Sequence, residues 1–402
     1  MRLSDDLLYI KHDDKEKWLL YNHKLNKLCI IDDELYSKID FIGKVISEFN
    51  VLSMNDKTLL IKNGIIVEDE KEYEKMSYFH KLEGRDTSVR LKEAYLHVTQ
   101  RCNLRCSYCY NKKNLNKPDK LDLGEILDIG TKLKHVGIEH ITITGGEPLM
   151  RTDIKDICCE LKQMGFRLTL LTNGVLLQLK LDALNFVDKM IISVDTFEVN
   201  DNLRKNLNIN KLKITLINMP ILQREKISLR SVISKTNEKS WNEVKNFAIK
   251  NNFQFLHTTY LPNAKNEIKY MPDLNINDYD EGILNFSGNL CAATYRVIAV
   301  DSNGDLYPCQ ALISNGLKIT NILQNNWYED LLKSNIVREF AQRSVDKIEK
   351  CSSCDYRYLC GGGCRAIARN VYSSLDACAE CICPYHKEIV IKKLKGLLLR
   401  YG

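Results

Sequence analysis

Long apolar segments are missing from this sequence of 402 residues. No run of about 18 apolar residues is present, which excludes a stretch long enough to span a membrane as a helix. The N-terminus carries Asp5 and Asp6, where a secretory signal would be basic and then apolar. Low-complexity tracts and internal repeats are absent as well. We therefore expect a cytoplasmic protein without a membrane partner.

A strong excess of charge is also missing. The chain has 58 Lys and Arg against 52 Asp and Glu, and the net charge of +6 gives no reason to expect a nucleic-acid partner. The content of 44% apolar and 27% charged residues is that of a soluble globular protein. A chain of this length is too long for one ordinary core, so we expect two or three domains.

Cysteine, in contrast, is abundant. Fifteen cysteines are many for a cytosolic protein, because disulfides rarely persist in that compartment. The odd number also argues against complete pairing. Cys29, Cys158 and Cys159 lie in a predicted strand and helix, where they are expected to act as small buried hydrophobic residues. For the remaining twelve cysteines, we expect ligation of metal or of iron-sulfur clusters.

Three of these cysteines form a compact motif. Cys102, Cys106 and Cys109 have the spacing C-x3-C-x2-C and follow shortly after the apolar run Ala94 to Val98. Three thiolates on one short loop can hold three irons of a 4Fe-4S cluster, which normally has four cysteine ligands. One iron is then left open for a ligand that is not a protein side chain, and chemistry can take place there.

Strand and helix patterns alternate between residues 93 and 264. Strands are predicted at Ala94 to Val98, His140 to Thr144, Arg167 to Leu171, Met190 to Val194, Ile227 to Ser234 and Phe253 to Tyr260. Helical segments are predicted at Leu123 to His135, Ile154 to Met164, Leu176 to Leu184, Ile209 to Leu222 and Ser240 to Lys250. Such alternation indicates an α/β fold, a partial (β/α)6 TIM-like barrel with active residues at the carboxyl ends of its strands.

Residues 1–80 have a different pattern. Short apolar runs at Leu7 to Ile10, Trp18 to Tyr21 and Leu28 to Ile31 predict an antiparallel meander. Helical patterns at 33–42, 44–49 and 55–62 and a strand at 65–68 follow, an order that resembles a winged-helix domain. Residues 1–85 carry 14 Lys and Arg against 17 Asp and Glu, whereas a DNA-binding domain should be basic.

The remaining segments complete the predicted organisation. Residues 70–90 are charged and weakly patterned, which indicates a linker. In the predicted domain organisation the linker is placed at 81–92, after the domain at 1–80. After the barrel, residues 265–290 form a bridge, 291–390 a cysteine-rich iron-sulfur domain and 391–402 a tail. Nine of the fifteen cysteines fall between Cys291 and Cys383.

The barrel segment resembles the radical S-adenosylmethionine (SAM) enzymes. The cysteine motif carries Tyr108 just before its last cysteine, and a Gly-Gly-Glu-Pro motif follows the second predicted strand. Further matches are Thr172-Asn173-Gly174 after the third strand, Ser193-Val194-Asp195 at the end of the fourth and, more weakly, Arg204. The resemblance implies that Cys102, Cys106 and Cys109 hold a radical-generating 4Fe-4S cluster, and that SAM is bound by the residues Tyr108, Gly145, Gly146, Glu147, Pro148, Asn173, Ser193, Asp195 and Arg204. The alternatives are a turn at Thr172 to Gly174, helix caps at Ser193 and Asp195 and a surface position for Arg204.

The later cysteines resemble the SPASM extension of these enzymes, which holds two auxiliary 4Fe-4S clusters. The resemblance assigns Cys351, Cys354 and Cys360 with one late cysteine to one cluster, Cys383 being preferred and Cys381 next. It assigns Cys291, Cys309 and Cys364 to the other. Many relatives supply a fourth ligand to that cluster from just upstream, but residues 261–290 contain no cysteine, so either Cys378 or Cys381 completes it or an iron stays open. Two zinc sites are the alternative, since C-x2-C pairs also suit zinc.

With these domains in place, the N-terminal domain resembles the peptide-recognition element of maturases that modify ribosomally made peptides. It implies a precursor peptide as partner, with its leader added as a strand at Lys27 to Ile31 beside the helix at 55–62, and an external one-electron donor such as flavodoxin or ferredoxin. We expect the enzyme to form a crosslink, preferably a carbon-sulfur thioether to a peptide cysteine. The alternatives are a carbon-carbon crosslink, oxidation of a sulfatase residue to formylglycine, and an iron-sulfur redox regulator that binds DNA.

Overall fold

The computed structural model describes residues 2–11, 16–39, 52–75, 89–109, 111, 115–200, 203–273, 291–313 and 316–401. The described residues form two compact units. The first contains residues 2–75, Cys291 and residues 343–401, and the second contains residues 89–273 and 292–342. The helix predicted at 44–49 and most of the predicted linker and bridge lie outside the described residues.

The first unit begins with the predicted antiparallel meander, which is confirmed. Strands β2 (Leu7–Lys11), β3 (Lys17–Asn22) and β4 (Lys27–Asp32) pair in that order. Two short strands that flank the meander in sequence, β1 (Arg2–Leu3) and β5 (Ile66–Val67), pair with each other. Three helices accompany them, namely α1 (Asp33–Ser37), α2 (Met54–Lys62) and α3 (Glu70–Lys75).

The helix α3 corrects one expectation, because it lies in the charged segment where we predicted a linker. Its Tyr73 is buried, and the hydroxyl receives a hydrogen bond from Asn22 Nδ2 at 2.8 Å and donates to Asp6 at 3.0 Å. Ion pairs of Arg2 with Glu70 and of Lys24 with Glu74 add to this contact, so one buried aromatic residue and two charged pairs attach the helix. The winged-helix interpretation stays a prediction, since one of its helices lies outside the described residues.

Both faces of the meander are covered within the first unit. Successive side chains of a strand point to opposite faces, so Leu20 packs with Cys29, Leu35 and Leu60 on one side. Leu19 and Tyr21 point to the other side, where they pack against Val390 and Leu394 near the end of the chain. These four side chains are at most 4% exposed.

The second unit is organised by an eight-stranded sheet, which confirms the predicted α/β fold. The strands of this unit are β6 (Glu93–Thr99), β7 (Arg105–Cys106), β8 (His140–Gly145), β9 (Arg167–Thr172), β10 (Lys189–Ser193), β11 (Arg204–Lys205), β12 (Ile227–Ile233), β13 (Gln254–Thr259), β14 (Val297–Val300) and β15 (Leu306–Tyr307). The sheet order is β13-β12-β10-β9-β8-β6-β14-β15, and β7 pairs separately with β11. All neighbours in the sheet are parallel except β14 and β15. We predicted only the first six of these eight strands, because β14 and β15 come after the point where the alternation stops.

Helices cover the sheet where the sequence pattern placed them, with two differences. The helices of this unit are α4 (Leu123–His135), α5 (Ile154–Gln163), α6 (Ile209–Ile217), α7 (Ile221–Arg224), α8 (Trp241–Lys250), α9 (Trp327–Lys333) and α10 (Asn335–Ala341). The segment predicted as a helix at 176–184 forms two 3-10 helices instead, Leu177–Leu179 and Leu181–Phe186. The helix predicted at 209–222 stops at Ile217 and a short one starts after Pro220, because proline has no N–H to donate within a helix.

The sheet buries one set of alternating side chains against these helices. Leu96, Ile143, Leu170 and Ile192 are completely buried in this core, together with Leu229. The opposite face of the strands carries polar side chains, among them His97, Thr144 and Ser193. The polar face, at its carboxyl end, is where the sequence motifs meet.

The C-terminal part of the first unit is helical. Its helices are α11 (Glu349–Ser352), α12 (Arg357–Cys360), α13 (Arg365–Tyr372) and α14 (Cys383–Tyr401). The boundary that we predicted between a domain ending at residue 390 and a tail falls inside α14. Further 3-10 turns in the chain are Pro148–Met150, Lys265–Tyr270, Gln310–Leu312, Val345–Lys347 and Glu380–Ile382. None of the described helices combines the length and the apolar character that crossing a bilayer requires.

Candidate active site

The cysteine motif forms a loop after the carboxyl end of β6, and backbone hydrogen bonds hold it at several points. Cys102 N donates to Leu115 O at 3.0 Å, and Cys109 N donates to Cys106 O at 3.2 Å. The middle of the loop forms strand β7, which pairs antiparallel with β11 and places Cys106 opposite Arg204. All three cysteines are half-buried. The thiols therefore sit on a shaped loop within the unit that holds the parallel sheet.

Gly145 and Gly146 let the end of β8 lie directly on the stem of this loop. Gly145 has a φ of +135°, and a Cβ there would be 2.2 Å from Thr99 O. A Cβ on Gly146 would be equally close, 2.2 Å, to Arg101 O. The sequence suggested that the glycines admit the cofactor, whereas the structure shows that both are required for the contact of β8 with the residues just before Cys102.

Glu147 of the same motif ties three segments together. Its carboxylate is 1% exposed and accepts hydrogen bonds from Leu149 N at 3.0 Å, Thr172 Oγ1 at 2.7 Å and Asn173 N at 2.7 Å. Burial raises the pKa of Glu147, while these hydrogen bonds lower it. Pro148 then starts the 3-10 turn, as its missing N–H allows. The side chain of Glu147 is thus occupied by the protein and serves to position the end of β9.

Asn173 connects the end of β9 with the cysteine loop. Its Nδ2 donates to Asn103 Oδ1 at 2.8 Å and lies 3.9 Å from Cys102 Sγ. Its Oδ1 accepts a hydrogen bond from Val175 N at 3.0 Å, which forms the turn that we considered as an alternative. The residue therefore makes the turn and also contacts the first cysteine segment.

Tyr108, Asp195 and Arg204 form a buried polar network. Tyr108 Oη donates to Asp195 Oδ2 at 2.5 Å, and the Arg204 guanidinium reaches the same carboxylate at 3.0 and 3.1 Å. Val232 N adds a hydrogen bond to Asp195 at 3.1 Å. The guanidinium also lies 5.5 Å from the centre of the Tyr108 ring. Arg204 is only 7% exposed, so the surface position that we considered for it is wrong.

The charges of this network stabilise one another. Burial opposes the charge of Arg204, but the Asp195 carboxylate more than compensates and raises its pKa. Burial raises the pKa of Tyr108 well above its usual value, so the phenol stays protonated and acts as a donor. Because Tyr108 lies between Cys106 and Cys109, the network fixes the part of the loop that carries two of the three thiols.

Asp119 and Arg230, also near the loop, were not identified from the sequence. Asp119 accepts hydrogen bonds from Thr99 Oγ1 and Arg101 Nη2 on the stem of the loop. Arg230 lies beside Ser193 in the strand register, and its buried Nε has no hydrogen-bond partner among the described residues. Ser193 itself is 7% exposed at the end of β10. A charged residue inside an apolar strand pattern, such as Arg230, is the signal that could have been followed.

A second cysteine group, in the first unit, surrounds a cavity of about 440 Å³ that we call the cysteine cavity. Among the residues that line it are Cys351, Cys354, Cys360, Cys378 and Cys383. Cys378 Sγ lies 3.6 Å from Cys351 Sγ and 3.6 Å from Cys383 Sγ, and Cys360 Sγ lies 3.5 Å from His386 Nδ1. Burial raises the pKa of the Cys378 and Cys383 thiols, each to about 11. Five sulfur donors around one cavity fit an iron-sulfur cluster, which needs four.

The geometry separates the late cysteines. Cys378 and Cys383 line the cavity, whereas Cys381 does not. Cys381 N donates to Tyr372 Oη at 2.8 Å, and the Cys381 thiol interacts electrostatically with Cys364. Among the described residues no group of three or more His, Cys, Asp or Glu is arranged to hold a single metal ion. The ligand assignments by residue therefore stay predictions.

Of the other cysteines, Cys29 and Cys158 are buried as predicted, whereas Cys159 is not. Cys29 is 6% exposed and Cys158 is completely buried. Burial raises the pKa of each thiol to about 12, so neither is a ready thiolate. Cys159 is half-buried and accepts a hydrogen bond from Gln163 at 3.3 Å.

Comparison with known families agrees with this division of the cysteines. Residues 96–247 match the radical SAM superfamily, and residues 291–355 match the SPASM iron-sulfur cluster-binding domain. The chain thus contains the domain of a superfamily of enzymes that use SAM and a 4Fe-4S cluster. More narrowly, it carries a radical SAM domain together with a SPASM domain, the kind of domain that binds auxiliary iron-sulfur clusters.

Curated proteins that resemble this chain include a cyclase and a maturase. A GTP 3',8-cyclase from Limosilactobacillus fermentum is 37% identical over 145 residues, which are 34% of this chain and 44% of the cyclase. The mycofactocin maturase MftC from Mycobacterium tuberculosis is 25% identical over 303 residues, 67% of this chain and 77% of MftC. The chain thus spans less than half the length of the cyclase.

Two solved structures share the fold. Streptococcus suis SuiB bound to SAM has a TM-score of 0.57 at 18% identity, covering 91% of this chain and 96% of SuiB. The protein anSMEcpe with bound SAM has a TM-score of 0.57 at 18% identity, covering 76% of this chain and 98% of anSMEcpe. At these identities the comparison establishes the fold alone.

Proposed function

We propose that this protein is a maturase that installs a crosslink in a ribosomally synthesised precursor peptide. The observation that carries the proposal is the β2-β3-β4 meander that precedes a radical SAM domain and a SPASM domain. Its last strand, β4, pairs with β3 on one side only among the described residues. An exposed strand edge is a template for an extended peptide, and β4 contains the predicted leader site at Lys27 to Ile31.

The surroundings of β4 suit such a role. Helix α2 lies close to the strand, since Lys27 Nζ donates to Lys62 O at the end of that helix. The added peptide strand would receive main-chain hydrogen bonds from β4 and side-chain contacts from the helix. SuiB, which has also been solved bound to its precursor peptide SuiA, gives this domain order a peptide-binding precedent.

The residues of the second unit would position the chemistry. When bound, the cluster of Cys102, Cys106 and Cys109 and SAM would supply a 5'-deoxyadenosyl radical that takes a hydrogen atom from an unactivated carbon of the peptide. The Tyr108-Asp195-Arg204 network holds the loop that carries these thiols. Burial of the network keeps water from its charges. The side chain of Glu147 aligns the ends of β8 and β9 at the same edge.

The bond that we favour is a thioether between a peptide cysteine and the radical carbon. The second set of auxiliary ligands, Cys291, Cys309 and Cys364, lacks an upstream cysteine in residues 261–290. Cys378 lines the cysteine cavity and Cys381 does not, so we favour Cys381 over Cys378 as the protein ligand that would complete this set. If Cys381 does not do so, a peptide thiolate can take the open position. A carbon-carbon crosslink is the alternative within this class.

A second candidate function is nucleotide cyclisation, because a GTP 3',8-cyclase is 37% identical over 145 residues. This identity covers 34% of the chain. Formylglycine formation, the alternative that the sequence left open, is a third candidate. The external electron donor, flavodoxin or ferredoxin, is part of the proposal in each case.

In the deciding experiment, the reconstituted full-length enzyme is incubated with SAM, a one-electron reductant and one of three candidate substrates. The probes are the peptide encoded by a short reading frame next to the gene, the same peptide without its leader, and GTP. We expect the full peptide to lose two hydrogens and the leaderless peptide to react at least tenfold more slowly. A cyclised GTP product would support the second candidate, and equal turnover of both peptides would exclude leader capture.

This design truncates the peptide and leaves the enzyme intact for a structural reason. Removal of residues 1–85 would expose Val390 and Leu394, which Leu19 and Tyr21 cover. A truncated enzyme would therefore lose activity through its core whether or not it binds a leader.

A further inference from the structure

Arg365 is a completely buried cation without an acidic partner. It is 0% exposed at the start of α13, and none of the described carboxylates forms an ion pair with it. Its donors go to backbone carbonyls instead. Nη1 donates to Leu375 O at 2.9 Å and to Ala377 O at 3.0 Å, Nη2 donates to Gly362 O, and Nε donates to Gly363 O at 3.4 Å.

Carbonyls satisfy the donors of a guanidinium but do not neutralise its charge. A charge removed from water is unfavourable unless an opposite charge lies nearby. The other shielded arginines of this part of the chain follow that rule, since Arg343 pairs with Asp376 at 2.7 Å and Arg357 with Asp346 at 3.0 Å. Arg365 therefore requires an anion that is not a described carboxylate.

The surroundings of Arg365 identify this anion. Gly362 lines the cysteine cavity, and a Cβ built on it would lie 3.2 Å from Arg365 Nη2. Ala377, which accepts from Nη1, directly precedes Cys378. The thiols of Cys291, Cys351 and Cys364 also interact electrostatically with the guanidinium, and Cys351 is the one of the three that lines the cavity. Cysteine sulfurs, as the thiolates of a bound cluster, are thus a source of negative charge beside Arg365.

We propose that Arg365 is the fixed counter-charge of the cluster bound in the cysteine cavity and raises its reduction potential. A 4Fe-4S cluster with four thiolates has a net charge of −2 when oxidised and −3 after gaining one electron. A buried positive charge nearby stabilises the more negative state, because screening by water is weak there. The cluster then accepts an electron more readily, as a maturase that oxidises its peptide requires. The inference rests on the proposed ligands of this cavity.

The test uses full-length protein in which Cys102, Cys106 and Cys109 are replaced by alanine, so that the auxiliary clusters alone give a signal. Arg365→Gln removes the charge, and Arg365→Lys keeps it. Arg369→Gln is the matched control, since Arg369 lies one turn further along α13 and only donates to Ser373 O. Iron content and the midpoint potential, from a redox titration followed by electron paramagnetic resonance, are measured for each.

We expect Arg365→Gln to reduce the ratio of reduced to oxidised cluster at least tenfold at a given potential, a shift of about 59 mV for one electron. Arg365→Lys should stay within threefold of the parent, and Arg369→Gln should not change. A Gln variant with full iron and an unchanged midpoint would overturn the proposal. A Lys variant that shifts as far as the Gln variant would show that the guanidinium acts as a brace and not through its charge.

Two further outcomes are informative. If Arg365→Gln loses its iron, the Arg365→Lys variant decides whether the charge matters. A Lys variant with full iron and the midpoint potential of the parent supports the counter-charge, and a Lys variant that loses its iron contradicts it. Cys354→Ala tests the ligand assignment separately and should remove one cluster. If Cys354→Ala retained all of its iron, the cluster would not be bound in this cavity. This result would contradict the ligand assignment but not the proposed maturase activity.

Discussion

At the scale of single residues, the cysteine loop depends on a carboxylate that is not itself a ligand. Asp195 receives hydrogen bonds from Tyr108, Arg204 and Val232 and is 1% exposed. Three segments that are distant in sequence therefore meet at one side chain. Loss of the Asp195 carboxylate therefore removes contacts that hold the cysteine loop, even if no cofactor is bound.

The first prediction concerns this carboxylate. Asp195→Asn keeps the shape but leaves the buried charge of Arg204 unpaired, so we expect a loss of about 3 to 5 kcal/mol in the free energy of unfolding. Tyr108→Phe removes one hydrogen bond to a charged group and should cost less, about 1.5 to 3 kcal/mol. Chemical denaturation of the cluster-free protein measures both. Equal stability of Asp195→Asn and the parent would contradict the network.

The second prediction concerns Gly146. Gly146→Ala places a methyl group 2.2 Å from Arg101 O, and the neighbouring backbone must shift. We expect loss of the SAM-binding and iron-binding capacity of the loop, measured by equilibrium dialysis and iron analysis. Gly396→Ala is the control, because no atom lies within 4 Å of its Cβ position, and alanine should leave the protein as stable as before or slightly more so.

The third prediction is a pH dependence due to His97. Burial lowers the pKa of His97 from 6.5 to about 4, so the folded protein holds it neutral while the unfolded chain becomes protonated first. Above pH 6.5 the neutral His97 contributes about 3 kcal/mol to the free energy of unfolding. This contribution is lost as the pH falls toward 4. Denaturation curves between pH 7 and pH 4 should show this loss, and His97→Gln should flatten it. An equally steep curve for the variant would assign the effect to other groups.

Part of the site could be read from the sequence, and the reason differs from residue to residue. The three cysteines, the Gly-Gly-Glu-Pro motif, Asn173 and Asp195 stand in short patterns at predicted strand ends, and the structure brings all of them to the same edge of the sheet, together with the more weakly predicted Arg204. Asn103, Asp119 and Arg230 have no such pattern. Their roles depend on which strands are neighbours, and periodicity does not contain that information.

At the scale of elements, α14 links the cysteine cavity to the meander. The helix starts at Cys383, which lines the cavity, and its Val390 and Leu394 pack on Leu19 and Tyr21. A rigid helix thus joins a candidate ligand to the strand next to the proposed leader site.

The fourth prediction follows from this packing. Leu394 is completely buried, so Leu394→Ala should lower the free energy of unfolding by about 2 to 5 kcal/mol. Leu222→Ala, at a side chain that is 83% exposed, should change it by less than about 0.5 kcal/mol. A variant Leu394→Ala as stable as the Leu222 variant would mean that α14 does not pack there.

The elements that the sequence missed are those whose stability comes from partners far away in the chain. β1 pairs with β5 across more than 60 residues and has only two residues, too few for a periodic signal. β14 is assigned to the sheet only by its pairing with β6. The break at Pro220, in contrast, was readable, since a proline interrupts a helix whatever surrounds it.

At the scale of the whole molecule, three clusters per chain are implied by the two domains together. The fifth prediction is therefore about twelve irons per chain after anaerobic reconstitution. Replacing Cys102, Cys106 and Cys109 by alanine should remove about four of them and abolish reductive cleavage of SAM. Iron and sulfide assays measure the first effect, and chromatography of 5'-deoxyadenosine the second. About four irons together with bound zinc would contradict the auxiliary clusters.

The first unit is assembled from both ends of the chain, and this has a consequence for biosynthesis. The ribosome releases the meander before the second unit, and the helix that covers Leu19 and Tyr21 follows only after that unit has been made. At ordinary rates of synthesis that apolar face stays uncovered for tens of seconds. Nascent chains of this protein are thus expected to need a chaperone until this helix has been made, and the isolated meander is expected to aggregate when it is produced alone.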